Sequence, residues 1–158
     1  MVTVGTAAAD DAGVANLVAA HRAFCRATAP EESCHHLPLS ALAAPDVTLF
    51  AARDGGALCG IGALKTLGPE AGEIKCMHTA ETARGRGVGA ALLRHILAEA
   101  SARGMKRLWL ETGTAPAFAP ARALYRRMGF APCPPFGTYV TDPNSLYMTR
   151  RIAAKVGA

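Results

Sequence analysis

The spacing of apolar residues predicts two helices near the start of the chain. From Asp10 to about Pro30, apolar side chains recur at the helical spacing that gives one buried face. A second, shorter helical pattern runs from Leu37 to Ala43, and Pro45 closes it because proline cannot continue a helix. We therefore expect helical structure before the first strand of a sheet.

The next segment changes to runs of strand-forming residues separated by turn residues. Val47 to Ala52 predicts a strand, Asp54-Gly55-Gly56 a hairpin turn, and Leu58 to Leu67 the returning strand. Gly68-Pro69-Glu70 marks another turn, after which Glu73 to Thr79 predicts a third strand. This part of the chain is expected to form an antiparallel sheet.

The second half of the chain alternates helices and strands. One apolar helix face is predicted by Val88, Leu92, Leu93, Ile96, Leu97 and Ala100. A strand is expected at 108–110, a helix from Ala117 to Met128 with Pro120 in its first turn, and a last strand from Ser145 to Thr149. The pattern predicts an α/β (α+β) fold: a single domain over residues 1–158, with a central mixed, mostly antiparallel sheet flanked by helices.

Length and composition indicate the number of domains, the location and the kinds of partner to expect. At 158 residues the chain has the length of one domain, and it contains no apolar run of the ~20 residues that cross a membrane and no signal peptide at its start. Its five cysteines are an odd, widely spaced set, which favours reduced thiols and a cytoplasmic location. The net charge of +5 comes from dispersed basic residues, so we expect neither nucleic acid nor a membrane as a partner.

A glycine-rich segment, Arg84-Gly85-Arg86-Gly87-Val88-Gly89-Ala90, lies between a predicted strand and a predicted helix. The first turn of a helix offers backbone N–H groups and a positive dipole end to phosphate, and glycines leave room for it to approach. No Lys-Ser/Thr follows, which excludes a nucleotide triphosphate-binding loop. A dinucleotide-binding loop remains an alternative, although polar residues separate the preceding strand from the first glycine.

Two motifs together resemble the GNAT superfamily of acetyltransferases. Arg84, Gly87 and Gly89 match the pattern Gln/Arg-x-x-Gly-x-Gly/Ala at the start of a helix. Further along, the segment 121–130 is similar to the family's Ala-x-x-Leu-Tyr-x-x-x-Gly-Phe pattern. The resemblance covers residues 47–130, the expected motif-bearing core, and implies a splayed sheet with acetyl-CoA as cosubstrate.

The resemblance also implies which residues hold the cofactor. The backbone of Met77, His78 and Thr79 would pair with the pantetheine arm, and the loop from Arg84 to Ala90 would hold the pyrophosphate through its amides and arginines. Many family members carry asparagine where this chain has Phe118, so the contact that this position makes with pantetheine differs here.

Catalytic roles are implied at two positions. Tyr125 matches the phenol that protonates the departing thiolate beside the cofactor, and its alternative role is packing of a helix against the sheet. Glu73 lies eleven residues before Arg84, where related enzymes place a catalytic base, although water can also relay the proton. Strand alternation is expected to place Glu73, Lys75 and Met77 on one face, and the oxyanion is expected at the amide of His78.

Other reactive side chains give weaker indications of a catalytic or metal-binding role. Cys76 could carry the acetyl group, but a thiol inside a strand is usually a small core residue, so direct transfer is favoured. His21 with Cys25, and the run Cys34-His35-His36, have metal-binding residue types without a complete ligand set, and no metal is expected.

The sequence thus leads to a hypothesis about function. The chain is expected to acetylate a primary amine of a small molecule, with the acceptor lying between the early helices and the loop from Phe136 to Tyr139. The alternatives are a protein or peptide N-acetyltransferase and a non-catalytic acetyl-CoA-binding or regulatory module. A homodimer joined through the strand from Ser145 to Thr149 is also expected.

Overall fold

The computed structural model describes residues 1–34 and 37–153. Within these residues the chain forms seven strands and four α-helices. The strands are β1 Val2–Thr6, β2 Val47–Asp54, β3 Ala57–Gly68, β4 Ala71–Thr79, β5 Arg107–Gly113, β6 Ala131–Cys133 and β7 Ser145–Arg151. The helices are α1 Ala12–Thr28, α2 Leu39–Leu42, α3 Val88–Ala102 and α4 Ala119–Arg127.

The seven strands form one mixed sheet in the order β1-β2-β3-β4-β5-β7-β6. Neighbouring strands are antiparallel except β4 and β5, which are parallel. Helix α3 buries Val88, Leu92, Leu93 and Ile96 on one face of the sheet. Helix α1, capped by the Asp11 carboxylate, which accepts a hydrogen bond from the amide of Val14, packs on the other face.

Strands β4 and β5 separate part-way along their length. Only the first part of each strand is paired: Ala71–Ile74 of β4 lie beside Arg107–Leu110 of β5. Beyond that point β4 continues along β3 to Thr79, and β5 continues along β7 to Gly113. Beyond the paired part, β4 stays bonded to β3 and β5 stays bonded to β7, but β4 and β5 no longer bond to each other. A wedge-shaped opening therefore forms in the middle of the sheet.

A bulge in β4 changes which side chains face the acceptor side. Cys76 has a φ of 56°, a left-handed conformation that side chains with a Cβ rarely adopt, and the register between β3 and β4 shifts there. Past the bulge, Met77 packs with the α3-side core, whereas Cys76 packs with the α1-side core and His78 contacts α1. The expectation that Met77 shares a face with Glu73 and Lys75 was therefore wrong, because regular alternation does not survive a bulge.

Most elements predicted from the sequence are present. Strands β1 and β6 were missed: the first lies in a short segment before the first helix, and the second contains Pro132, which cannot donate to a ladder.

Strand β7 was expected to offer a free edge for a dimer. Strand β6 pairs with residues 147–149 of β7 and so covers the middle of that edge. A homodimer remains a prediction, and light scattering tests it. In the described part of the chain, no helix has the length and apolar character needed to span a membrane.

Candidate functional site

A cleft of about 610 Å³ occupies the opening between β4 and β5 and extends from α1 to the glycine-rich loop. It brings together segments that are far apart in the sequence. The predicted site residues that line it are Glu73, Met77, His78, Thr79, Arg84, Gly85, Gly87, Val88, Gly89, Ala90, Phe118 and Tyr125.

Arg86 is the predicted loop residue whose side chain is engaged elsewhere. Its guanidinium pairs with the carboxylate of Asp54 at the end of β2, which also binds the N-terminal ammonium of Met1. The side chain of Arg86 is therefore held by the β2–β3 hairpin, and the exposed Arg84 is the arginine that lines the cleft. The role of the Arg86 backbone amide in holding the pyrophosphate stays a prediction.

The glycine-rich loop leads directly into α3. Gly87 is the N-cap of the helix with a φ of 78°, and a glycine cap supplies no side-chain acceptor for the first helical amides. Gly89 packs closely on α4, because a Cβ there would lie 3.0 Å from the Leu124 side chain. The two motifs recognised in the sequence therefore meet at this point, where α3 begins at the end of the cleft.

An aromatic wall connects the loop with α1. The ring of Phe118 contacts that of Phe24 at 5.1 Å between centroids and lies so close to Gly113 that no Cβ fits there. The guanidinium of Arg84 lies 5.8 Å above the Phe24 ring. Phe118 thus makes apolar packing contacts at the position where related enzymes carry asparagine.

Tyr125 lies on the α3 side of the opening. It is 6% exposed, packs edge-on against Phe130 at 6.0 Å, and borders the cleft. Burial, together with the nearby Glu111 carboxylate, raises the pKa of the phenol, so it holds its proton across the neutral range. The phenol is therefore present in the protonated form that a general acid requires.

Glu73, Lys75 and Tyr139 form a closed hydrogen-bonded group on the α1 side. The Lys75 ammonium donates to Glu73 Oε2 at 3.1 Å and to the Tyr139 hydroxyl at 2.8 Å, and the hydroxyl donates to the same Oε2 at 2.7 Å. The side chains of Glu73 and Lys75 are 6% and 9% exposed. The carboxylate expected to be the base is thus neutralised within a buried group.

A second carboxylate, Glu111, lies on β5 and lines the same cleft. Burial raises its pKa from the ordinary 4.5 to about 7. The two carboxylates therefore differ in environment: Glu73 has an ammonium partner at hydrogen-bond distance, whereas desolvation dominates at Glu111.

We expect Glu111→Gln to stabilise the folded protein at alkaline pH. The raised pKa means that, between pH 4.5 and 7, the folded protein holds a proton that the unfolded chain has released. Stability is then greatest below this window and falls as pH rises through it, by about 3 kcal/mol for such a shift. Thermal melts should show the variant above the wild type at about pH 8 and level with it near about pH 4. Parallel melting curves across this range would contradict the raised pKa.

The environment of Cys25, Cys76 and His78 shifts the pKa of each towards its neutral form. Burial raises the pKa of the Cys25 thiol to about 12 and also raises that of Cys76, so neither is a thiolate near neutral pH. Burial and the Arg84 charge lower the pKa of His78, whose Nδ1 lies 3.4 Å from Nδ1 of His21. In the run Cys34-His35-His36, both histidines fall outside the described residues.

Sequence reasoning missed Lys75, Glu111 and Phe24 as cleft residues. The sequence contains a signal for two of these residues. Lys75 lies two positions after Glu73 in a strand, so the two side chains point to the same face, and Glu111 is an acidic residue at the end of a short buried strand. Phe24 was assigned only to the apolar face of its helix. In the structure this face points into the cleft at its C-terminal end.

The comparisons with known proteins agree with this geometry. The family model described as the acetyltransferase (GNAT) family matches residues 16–130. The chain belongs to the GNAT acetyltransferase family. The N-acetyltransferase YsnE of Bacillus subtilis is 44% identical over 139 residues, which cover 88% of this chain and 92% of that protein.

Two further relatives of this GNAT protein cover most of its length. The IAA acetyltransferase of Azospirillum brasilense is 45% identical over 123 residues, which cover 77% of this chain and 78% of the relative. A crystal structure described as an acyl-CoA N-acyltransferase, from Klebsiella pneumoniae, superposes with a TM-score of 0.80 at 30% identity, covering 97% of this chain and 99% of that one. The chain is accordingly an N-acetyltransferase with the open, mixed sheet of its family.

Proposed function

We propose that this GNAT protein transfers an acetyl group from acetyl-CoA directly to a primary amine of a small molecule. One observation carries the proposal: the opening between β4 and β5 joins a phosphate-compatible loop at one end to an acidic, aromatic-walled pocket at the other. A thioester with a long arm and a diphosphate fits such a cleft. The diphosphate would lie at the loop, and the arm would carry the acetyl group to the pocket that holds the acceptor.

The donor half of the cleft supports acetyl-CoA as the cosubstrate. The first amides of α3 and the Arg84 side chain would hold the diphosphate at the helix N-terminus. From Lys75 to Thr79, β4 has no β5 neighbour, so backbone groups on that edge are available to pair with the amides of the pantetheine arm.

The acceptor half supports a small amine. Its walls carry the Glu111 carboxylate, which attracts a cationic group, and the rings of Phe24 and Phe118, which cover an apolar body. The Ser33 hydroxyl donates to Asp142 at 2.6 Å, which ties the segment after α1 to the β6–β7 loop beside this pocket. Enclosure on that side favours a small acceptor over a protein chain, in keeping with the relative named for IAA.

The chemistry follows from the two sides of the opening. The amine attacks the thioester carbonyl from the α1 side, and Tyr125 protonates the departing sulfur from the α3 side. The amide of Ala80 donates to Cys59 of β3, and because amides alternate along a strand, that of His78 also faces β3. We therefore assign the oxyanion to the amide of Met77, on the edge of β4 that faces the opening.

An amine panel tests this function. Thiol release from acetyl-CoA should be measured with 2-phenylethylamine, spermidine and a short peptide with a free N-terminal amine. Turnover of the small amines with little turnover of the peptide supports the proposal. Turnover of the peptide alone identifies a peptide N-acetyltransferase, whereas acetyl-CoA binding without turnover of any amine identifies a binding or regulatory module.

A further inference from the structure

Glu111 occupies the point where the sheet opens. It follows Leu110, the last residue of β5 that pairs with β4. Leu108 and Leu110 are buried in the α3-side core, so alternation places Glu111 on the opposite face, which Glu73 also occupies. Its carboxyl group therefore enters the cleft on the acceptor side, directly beyond the last paired residues.

Glu111 lines the cleft together with Tyr125 of α4 and Cys25 of α1. Its charge also raises the pKa of both the phenol and the thiol. The carboxyl group therefore borders the space that joins the acid to the acceptor helix. The attacking nitrogen must occupy the same space, because it approaches the carbonyl carbon opposite the α3 side.

Glu73 is less well placed to receive a proton. Its Oε2 already accepts hydrogen bonds from Lys75 and from Tyr139. Protonation of either carboxylate oxygen would remove the charge that pairs with the Lys75 ammonium, and a buried ammonium would lose its partner. The group formed by Glu73, Lys75 and Tyr139 is better suited to shaping the acceptor pocket.

We propose that Glu111 is the general base that takes the proton from the acceptor amine; this rests on the proposed function. As the nitrogen lone pair forms the C–N bond, one N–H proton passes to the Glu111 carboxylate. The tetrahedral intermediate then collapses, the C–S bond breaks, and the sulfur takes the proton of Tyr125. Water returns the proton from Glu111 to the Tyr125 phenolate, so both groups are regenerated and no proton is gained or lost.

The environment of Glu111 supports this role. Its pKa of about 7 follows from burial, with Ser145 and Lys75 lowering it and Glu73 and Asp142 raising it. A carboxylate with this pKa is about half ionised at neutral pH, and its ionised form is a stronger base than an exposed glutamate. Protonation of Glu111 should therefore produce a fall in rate as pH drops below about 7.

The test compares Glu111→Gln with Glu73→Gln, with 2-phenylethylamine and acetyl-CoA as substrates. Glu111→Gln should lower kcat/KM about 10²- to 10³-fold and remove the part of the pH dependence near pH 7 that protonation of Glu111 causes, whereas the part caused by protonation of the substrate amine stays. The melting-temperature increase caused by acetyl-CoA should stay the same, which shows that the variant is folded and binds the cofactor. Glu73→Gln should retain the pH dependence of the wild type.

Chemical rescue separates a base from a structural residue. In Glu111→Ala, added formate should restore turnover in proportion to its concentration, because a small carboxylate can occupy the vacated space. Near-normal turnover of Glu111→Gln, loss of the pH dependence in Glu73→Gln instead, or no response to formate would overturn the assignment. Failure of the wild type to turn over 2-phenylethylamine and every other amine of the panel would reject the proposed function itself, and Glu111 as base with it.

Discussion

Tyr125→Phe is expected to lower turnover by about 10²- to 10⁴-fold while acetyl-CoA affinity stays nearly unchanged. The substitution keeps the ring that packs against Phe130 and removes the one proton that the side chain can donate. Without that proton the thiolate must leave as an anion in a cleft that is partly shielded from water. Steady-state kinetics and a calorimetric titration with acetyl-CoA, made on the same purified variant, measure the two quantities.

Tyr147→Phe is the matched control for this substitution. The hydroxyl of Tyr147 donates to the backbone oxygen of Val140 at 2.6 Å and does not border the cleft. Losing it should cost about 1 kcal/mol of stability and leave turnover within a few-fold of the wild type. If Tyr125→Phe behaves like this control, the tyrosine only packs α4 against the sheet, and the general-acid role is wrong.

Gly87→Glu is expected to abolish acetyl-CoA binding. The new carboxylate would stand at the N-terminus of α3, where the diphosphate needs space and positive potential. A glutamate in the first turn of a helix is favourable in itself, so loss of binding would not reflect a weakened helix dipole interaction. The increase in melting temperature that acetyl-CoA causes in the wild type should disappear.

Gly104→Glu provides the control for backbone strain. Gly104 lies just past the other end of α3 with a φ of 79°, against 78° at Gly87, and a Cβ meets nothing within 4 Å at either position. Both variants therefore carry the same strain and the same added charge. Gly104→Glu should keep the acetyl-CoA shift, and equal loss of the shift in both variants would show that strain alone explains the effect.

The architecture was largely predictable from local patterns. Helix α3 follows from an apolar stripe whose members all lie within one helix, and the β2–β3 hairpin follows from Gly55 and Gly56, which both adopt positive φ. The glycine-rich loop at one end of the cleft was equally accessible, because the residues from Arg84 to Ala90 are consecutive in the sequence. Local patterns of this kind need no knowledge of distant contacts.

The acceptor side was not predictable in the same way. Tyr139 meets Lys75 and Glu73 across 64 and 66 residues of sequence, and no local pattern encodes such a contact. The bulge at Cys76 was also hidden, because a residue with a Cβ gives no signal for a positive φ. Glu111 received no catalytic interpretation from the sequence, because its place in the cleft depends on how far β4 and β5 separate.

The carboxylates of Glu73 and Glu111 lie in different electrostatic environments within the same cleft. Glu73 forms an ion pair with the Lys75 ammonium, whereas burial raises the pKa of Glu111 to about 7, so Glu111 can exchange a proton near neutral pH. Sequence spacing favoured Glu73 as the base, and the geometry favours Glu111. The distinction arises from hydrogen-bond partners, which the residue types alone do not reveal.

The most direct test of the central claim follows the acetyl group itself. Enzyme, acetyl-CoA with a deuterated acetyl group, and the amine panel should be mixed in near-stoichiometric amounts, quenched at intervals and analysed by mass spectrometry of products and intact protein. We predict one labelled amide for each CoA released, formed while the mass of the protein stays unchanged. A labelled protein that precedes the product, or loss of acetyl-CoA without a labelled amine, would contradict direct transfer through the opening between β4 and β5.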